Sequence, residues 1–440
     1  MNLAADPKAD AFEALAAQPL TATTKGIPPL AAPIALGAVG KQGWNLLRGD
    51  LPFPLAVLSR AALEHNSRWM RAFIQANKLS IAPHGKTTMA PQLFRRQIED
   101  GAWAITVATL QQLMVCRLFG FHRLLIANEL IGTGELDVIS GELANAPQLE
   151  IYALVDSLAG IERIAAAGRR AGNPARLQLL LEMGVAGGRT GCRSLADALE
   201  VARAARREGL TLRGVEGFEG VLKETPAVDA FLDSITAAAE AIASEALFSA
   251  EGQVILSAGG SAFYDRVAAR FSRSRLANEV QIVTRSGCYL THDSVSYEQH
   301  YRAMRARERA EPGPHPGSLP TGDLRPALLI WTQLQSRPEP GRAILTMGRR
   351  DVGQDAGLPV PLLWYRRGLH EAPVAVGEGH SVAGLYDQHC CLDCPSTSAL
   401  AVGDLVAFGI SHPCTTFDKW QVLYVADERY DIVDAVRTFF

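Results

Sequence analysis

The stretch Ser80-Ile81-Ala82-Pro83-His84-Gly85-Lys86-Thr87-Thr88-Met89 holds a short apolar run, Ile81 to Pro83, that ends in a turn set by Pro83 and Gly85. A helical stretch, Pro91 to Asp100, comes next. An apolar run without alternation is a strand buried on both faces, and a strand followed by a helix is the repeating unit of a parallel sheet.

The unit recurs as far as about residue 300. Further runs at Ile105 to Ala108, Leu124 to Ala127, Ile151 to Val155, Leu177 to Leu181, Val215 to Phe218, Val254 to Leu256 and Val280 to Val283 bring the total to eight. Stretches with alanine, leucine and charged residues at helical spacing lie between them, among them Leu110 to Phe119, Ala159 to Ala171, Leu195 to Glu208 and Ala227 to Ala246. Eight such units fit an α/β chain closed into a (β/α)8 TIM-type barrel; a doubly wound open sheet is the rival, and both place ligands at the C-terminal ends of the strands.

Outside this region the pattern changes. Residues 1–50, rich in Ala, Pro and Gly, read as an N-terminal arm partly joining the C-terminal domain, and residues 51–305 as the barrel. A charged and then Pro/Gly-rich passage, Arg302 to Asp323, reads as unable to continue a helix or a sheet, with a loop or linker at 306–324. From residue 325 to 440 apolar residues alternate, as in Leu328 to Gln333 and Gln421 to Val425, which predicts a C-terminal antiparallel β-domain.

The composition sets limits on partners. The 440 residues are 48% hydrophobic and 20% charged, with a net charge of -3, which gives no electrostatic reason to expect nucleic acid or a membrane surface. No apolar run reaches membrane-span length, and Met1 to Asp10 lacks the apolar core of a signal peptide, so a cytoplasmic location is expected. Seven cysteines, an odd number, argue for reduced thiols rather than a disulfide framework.

The residues just past each strand are where barrel chemistry gathers. Lys86 stands where a side chain can enter a pocket, and a desolvated lysine amine attacks carbonyls such as the aldehyde of pyridoxal phosphate; a solvated surface lysine is the plain alternative. Ser257-Ala258-Gly259-Gly260-Ser261 can wrap backbone amides round a phosphate, and Ser286-Gly287-Cys288-Tyr289 can complete that cradle, with Tyr289 equally readable as a packed aromatic. His412-Pro413-Cys414 puts an imidazole and a thiol two residues apart, on the same side of an extended segment, as two ligands of an open metal site. A buried histidine beside a free cysteine is the other reading. The cluster His389-Cys390-Cys391-Leu392-Asp393-Cys394 is the second choice for metal, and Glu378-Gly379-His380 is either a site group or a surface turn.

Together, Pro83-His84-Gly85-Lys86-Thr87, Glu182 with Gly188-Arg189-Thr190-Gly191-Cys192, Ser257 to Ser261, Arg285-Ser286-Gly287-Cys288-Tyr289 and His412-Pro413-Cys414 resemble, in type and order, the D-serine dehydratase and D-threonine aldolase family. That family is part of the alanine-racemase-like, fold type III pyridoxal phosphate enzymes. The resemblance implies a homodimer, pyridoxal phosphate held on Lys86, and Lys86 as the base at the substrate α-carbon. It also implies His84 and Arg189 beside the cofactor, phosphate on Ser257, Gly259, Gly260, Ser261, Gly287, Cys288 and Tyr289, and Arg285 facing the pyridine nitrogen. His412 and Cys414 would bind the metal, with His380 as a third group on that side. A thiolate at position 414 suits Zn2+ rather than Mn2+ or Mg2+, and so dehydration of a D-3-hydroxy amino acid such as D-serine. Retro-aldol cleavage of the D-threonine type is the alternative, and a non-enzymatic cofactor-binding protein the second.

Overall fold

All eight apolar runs are strands of one parallel sheet, and the sheet closes. The computed structural model describes residues 9–276, 280–311, 313 and 315–440. Most of the stretch Met1 to Asp10, and Pro312 and Pro314 of the Pro/Gly passage, lie outside these residues. Around the barrel the strands run Ser80–Ile81, Ile105–Val107, Arg123–Glu129, Glu150–Val155, Gln178–Met183, Thr211–Gly217, Val254–Ala258 and Val280–Thr284, each beside its sequence neighbour. The last returns to the first through Val283 opposite Ser80, and a parallel bridge from His84 to Thr106 joins the first to the second.

The helices that wrap the barrel start where the sequence supplies caps. Thr109, Ser157 and Ser194 each accept a backbone N–H of the first turn through the side-chain hydroxyl, from Gln112, Gly160 and Asp197. Each such cap contributes about 1 kcal/mol.

A second, mostly antiparallel sheet is built on the long strand Leu328–Glu339. This strand pairs with Leu405–Gly409, Arg342–Leu345 and, antiparallel, with Leu55–Ser59. Leu55–Ser59 also runs parallel to Val422–Ala426, so it lies between two strands from the far end of the chain. The arm enters this sheet later than expected: residues 30–50 add only the bridge Asn45 to Asp431, and the inserted strand is Leu55–Ser59. Its sequence, Leu-Ala-Val-Leu-Ser, is buried through Leu58, as a central strand must be.

The charged passage after Tyr301 also differs from expectation. The helix Ser296–Ala310 continues through its charged first part and stops before the Pro/Gly-rich part, because its arginines find partners: Arg302 pairs with Glu298, Arg305 with Glu308, and Arg307 with Asp265. No helix among the described residues is long and apolar enough to cross a membrane.

Candidate active site

At the C-terminal face of the barrel a cavity of about 270 Å³ collects residues from seven strand ends and from the second domain. Lys86, His84, Arg189, Gly260, Ser261, Arg285, Gly287, Cys288, His412 and Cys414 line it, so ten of the residues singled out in the sequence share one space. Lys86 sits in a single helical turn, Gly85–Thr87, directly after the first strand. Among the described residues its Nζ has no hydrogen-bond or ion-pair partner.

The surroundings of Lys86 are polar and buried. His84 Nδ1 is buried with no hydrogen-bond partner. Burial, and then the charges of Lys86, Arg285 and Arg189, hold its imidazole well below the usual histidine range, so it is neutral. Arg285 donates to the Gly217 carbonyl (3.1 Å) and stands 2.5 Å from the Glu216 carboxylate. Burial pushes Glu216 up to about 8 against the pull of Arg285. Arg189 lies over the Phe218 ring, 4.7 Å from its centroid.

The phosphate cradle is built differently from the expectation. The Gly259 and Gly260 amides donate to the two oxygens of the buried Glu219 carboxylate, at 2.9 and 3.0 Å, because the short turn after the sixth strand carries that side chain over the glycine loop. Ser257 Oγ is buried in the strand without a partner and does not line the cavity. Tyr289 turns away into the core beside Tyr264 and Met304, with its hydroxyl on Gln97; its neighbour Cys288 takes the cavity side. That leaves Ser261, Gly287 and Cys288 at the phosphate end. Gly287 suits close backbone approach, since a Cβ there would meet the His84 carbonyl at 2.6 Å and Thr87 Oγ1 at 2.8 Å. An unpaired lysine, a neutral half-buried histidine, an arginine over an aromatic ring and a glycine wall fit pyridoxal phosphate.

The second domain supplies the soft donors. His412 is extended and caps the short helix Pro413–Phe417, with Pro413 as its first residue. The pair therefore meets across a helix start, not along the extended segment the spacing suggested. His412 Nδ1 lies 2.6 Å from Asp355 Oδ2. Cys414 Sγ lies 3.8 Å from Cys288 Sγ and 3.6 Å from Thr87 Oγ1. The hydrogen bond from Cys288, followed by that from His412, holds the Cys414 thiol well below the usual cysteine range, while burial pushes Cys288 up. An imidazole and a thiolate, with a carboxylate orienting the imidazole, are a donor set that fits zinc.

The two remaining metal readings separate from the site. His380 Nδ1 donates to the Gly377 carbonyl and Nε2 meets Ser398 Oγ, both at 2.8 Å, and the residue does not line the cavity. Cys390 and Cys391 are successive residues of the strand Cys390–Asp393, one buried and one half-buried, and so face opposite ways.

Several site residues were not legible in advance. Asn128, Glu216 and Tyr297 line the cavity, and Asp355 sits behind His412. Glu129, Asp156 and Glu182, at the ends of three consecutive strands, hold carboxylate oxygens within 4.8 Å of one another. Burial, and then Glu182, push Glu129 up to about 9. Neither Glu129 oxygen has a hydrogen-bond partner among the described residues. Glu182 was read in advance with the Gly188 to Cys192 motif, but no local motif marked Glu129 or Asp156.

Comparison with known proteins supports the two-part fold. The family model "Alanine racemase, N-terminal domain" matches residues 58–276 and "Putative serine dehydratase domain" matches residues 327–426. A D-threonine aldolase of Arthrobacter sp is 25% identical over 398 residues, covering 89% of this chain and 93% of that protein. A 3-hydroxy-D-aspartate aldolase of Paracoccus denitrificans (strain Pd 1222) is 24% identical over 323 residues, covering 70% of this chain and 75% of that one. The structure of D-threonine aldolase from Filomicrobium marinum superposes with a TM-score of 0.70 at 20% identity, covering 90% of this chain and 96% of that chain. D-threo-3-hydroxyaspartate dehydratase from Delftia sp. HT23 gives 0.67 at 20% identity, covering 88% and 97%.

Proposed function

The chain belongs to the D-serine dehydratase and D-threonine aldolase family of alanine-racemase-like, fold type III pyridoxal phosphate enzymes, and we propose that it is a metal-assisted dehydratase of a D-3-hydroxy amino acid. The observation that carries this reading is the meeting of Lys86 with His412 and Cys414 in one cavity. A lysine poised over a carbonyl cofactor needs no metal to move a proton. A metal pair above it serves a second bond, the one at the β-carbon.

Bound there, pyridoxal phosphate supplies an electron sink for the α-carbon and the divalent ion a Lewis acid for the β-oxygen. Lys86 would hold the cofactor and take the α-proton from the substrate. His84, neutral and half-buried, would present an uncharged face to the cofactor. Arg285, kept in position by Glu216 and the Gly217 carbonyl, would face the ring, and Arg189 would stay over Phe218 beside it. His412 and Cys414 would hold the ion. The β-hydroxyl leaves as water, and hydrolysis then releases ammonia and a 2-oxo acid.

The donor set supports dehydration over cleavage, since a thiolate selects zinc, a strong Lewis acid for a leaving hydroxide. The D-threo-3-hydroxyaspartate dehydratase has been solved with a histidine, and with a cysteine two positions beyond it, replaced by alanine, the latter in metal-free form. The same spacing separates His412 and Cys414. Retro-aldol cleavage is the second reading, favoured by the names of the two curated relatives. In that case the same ion would help deprotonate the β-hydroxyl.

Product analysis on zinc-supplied enzyme tests the choice. Oxo acid with equal ammonia from D-serine, lost on chelation and in Lys86→Ala, is the expected result. Glycine with acetaldehyde from D-threonine, without oxo acid, moves the assignment to the aldolase. Cofactor absorbance unchanged in Lys86→Ala rejects the site.

A further inference from the structure

We propose that Cys288 and Cys414 are an oxidative modification site, a thiol pair that a peroxide converts to an internal disulfide when Cys414 holds no ion, and that the disulfide then bars the ion. The disulfide rests on the geometry of the two thiols; its effect on the ion rests on the metal reading above. Residue 288 entered the sequence reading through its backbone, as part of a phosphate turn. Its side chain reaches instead from the end of the eighth barrel strand to the short helix Pro413–Phe417 of the second domain.

The placement of the two sulfurs carries the argument. All seven cysteines are free thiols, and these two, 126 residues apart in sequence, stand 3.8 Å apart in space. A disulfide needs about 2.05 Å, so the sulfurs must close by roughly 1.8 Å. Thr87 Oγ1 lies 3.8 Å from Cys288 Sγ and 3.6 Å from Cys414 Sγ, which sets it beside the pair and leaves the line between the sulfurs clear. Both residues border the cavity, so the turn of either side chain is taken up by open space. The other thiols are held elsewhere: Cys116 is buried in the helix Leu110–Leu118, Cys192 donates to the Asp156 carbonyl at 3.3 Å, and Cys394 accepts from Arg337 at 3.7 Å.

Exposure sets the order of events. Cys414 is half-buried and Cys288 only 4% exposed, so a small oxidant in the cavity meets Cys414 first. Its sulfur attacks one oxygen of the peroxide, the O–O bond breaks, and the displaced oxygen leaves as water with the thiol proton, giving a sulfenic acid. The Cys288 sulfur then attacks the Cys414 sulfur, the S–O bond breaks, and the hydroxyl leaves as water with the Cys288 proton. Two sulfurs are oxidised and one peroxide is reduced. An ion on Cys414 occupies the electron pair that attacks, so metal protects. A disulfide leaves His412 as the lone donor, so oxidation excludes the ion.

The test is peptide mapping of the cofactor-loaded enzyme, freed of metal by a chelator and given equimolar hydrogen peroxide. The expected result is one linked pair of peptides, containing Cys288 and Cys414, that a dithiol separates again. In Cys288→Ser the link is absent and Cys414 runs on to the sulfinic acid, which a dithiol does not restore. Both cysteines free after peroxide, or Cys414 as sulfinic acid in the wild type, overturns the site. The wild-type map decides even if the variant does not fold. Zinc added before the peroxide is expected to slow linkage by about tenfold or more, and the linked chain to hold zinc no better than Cys414→Ser does. Failure of the underlying reading is distinct: linkage at an equal rate with zinc present removes the metal site and leaves the disulfide standing.

Discussion

Arg285 and Glu216, two strands apart in the barrel, meet with 2.5 Å between guanidinium and carboxylate, and both are buried. Losing the carboxylate of such a pair strands the guanidinium charge, at a cost of about 3–5 kcal/mol. Glu216→Leu is therefore expected to lower the melting temperature sharply, and Glu216→Leu with Arg285→Leu to recover most of the loss. A single variant as stable as wild type in a denaturation series would show that the pair is not coupled.

Glu129 is the pH-sensitive element of the barrel mouth. Its folded-state value, about 9, lies above that of an unfolded glutamate, so the folded protein binds the extra proton. Stability from this group is full below about pH 4.5 and declines as pH rises towards 9. Glu129→Gln is expected to flatten that decline, gaining about 1 kcal/mol over wild type at pH 8 once solvent screening of a partly exposed group is allowed for. Parallel urea titrations at pH 6 and pH 8 read the difference; an equal decline in both proteins contradicts it.

Asp355 contacts no substrate-facing group except through His412, 2.6 Å away. Outer partners of this kind fix the ring of a ligating histidine and are worth 10- to 100-fold in metal affinity. Asp355→Ala should weaken zinc by about that factor in chelator competition, and Asp355→Asn by less, since the amide oxygen still accepts the hydrogen bond.

Gly287→Ala would push a methyl group into the His84 carbonyl. The expected effect is a loss of about 1–3 kcal/mol in stability and at least a tenfold loss of cofactor affinity, read by fluorescence titration of the apoprotein. Unchanged cofactor binding would show that the chain does not approach the phosphate here.

The barrel was legible because period and length agree: eight uninterrupted apolar runs, each followed by a helical stretch, leave few other folds. The lysine, the arginines and the His-Pro-Cys motif were legible because each lies at the end of such a run or in a distinctive local pattern. Glu219 was not, because its role depends on a glycine loop 40 residues further on. Tyr289 and Cys288 show the limit most clearly: adjacent residues of one turn face opposite ways, and only packing against Gln97 on one side and Cys414 on the other decides which enters the cavity.

Leu55–Ser59 is stitched between Leu328–Glu339 and Val422–Ala426 before the chain goes on to form the barrel. The lobe with the soft donors is thus made from both ends of the polypeptide, and the lysine lobe is inserted within it. No single cut yields two intact halves. A ribosome releasing the barrel has not yet made the sheet that its opening strand requires, so the nascent chain carries an orphaned strand until Val422–Ala426 emerges. For the same reason, exchange of one lobe between relatives demands two junctions, near residues 60 and 325, made together.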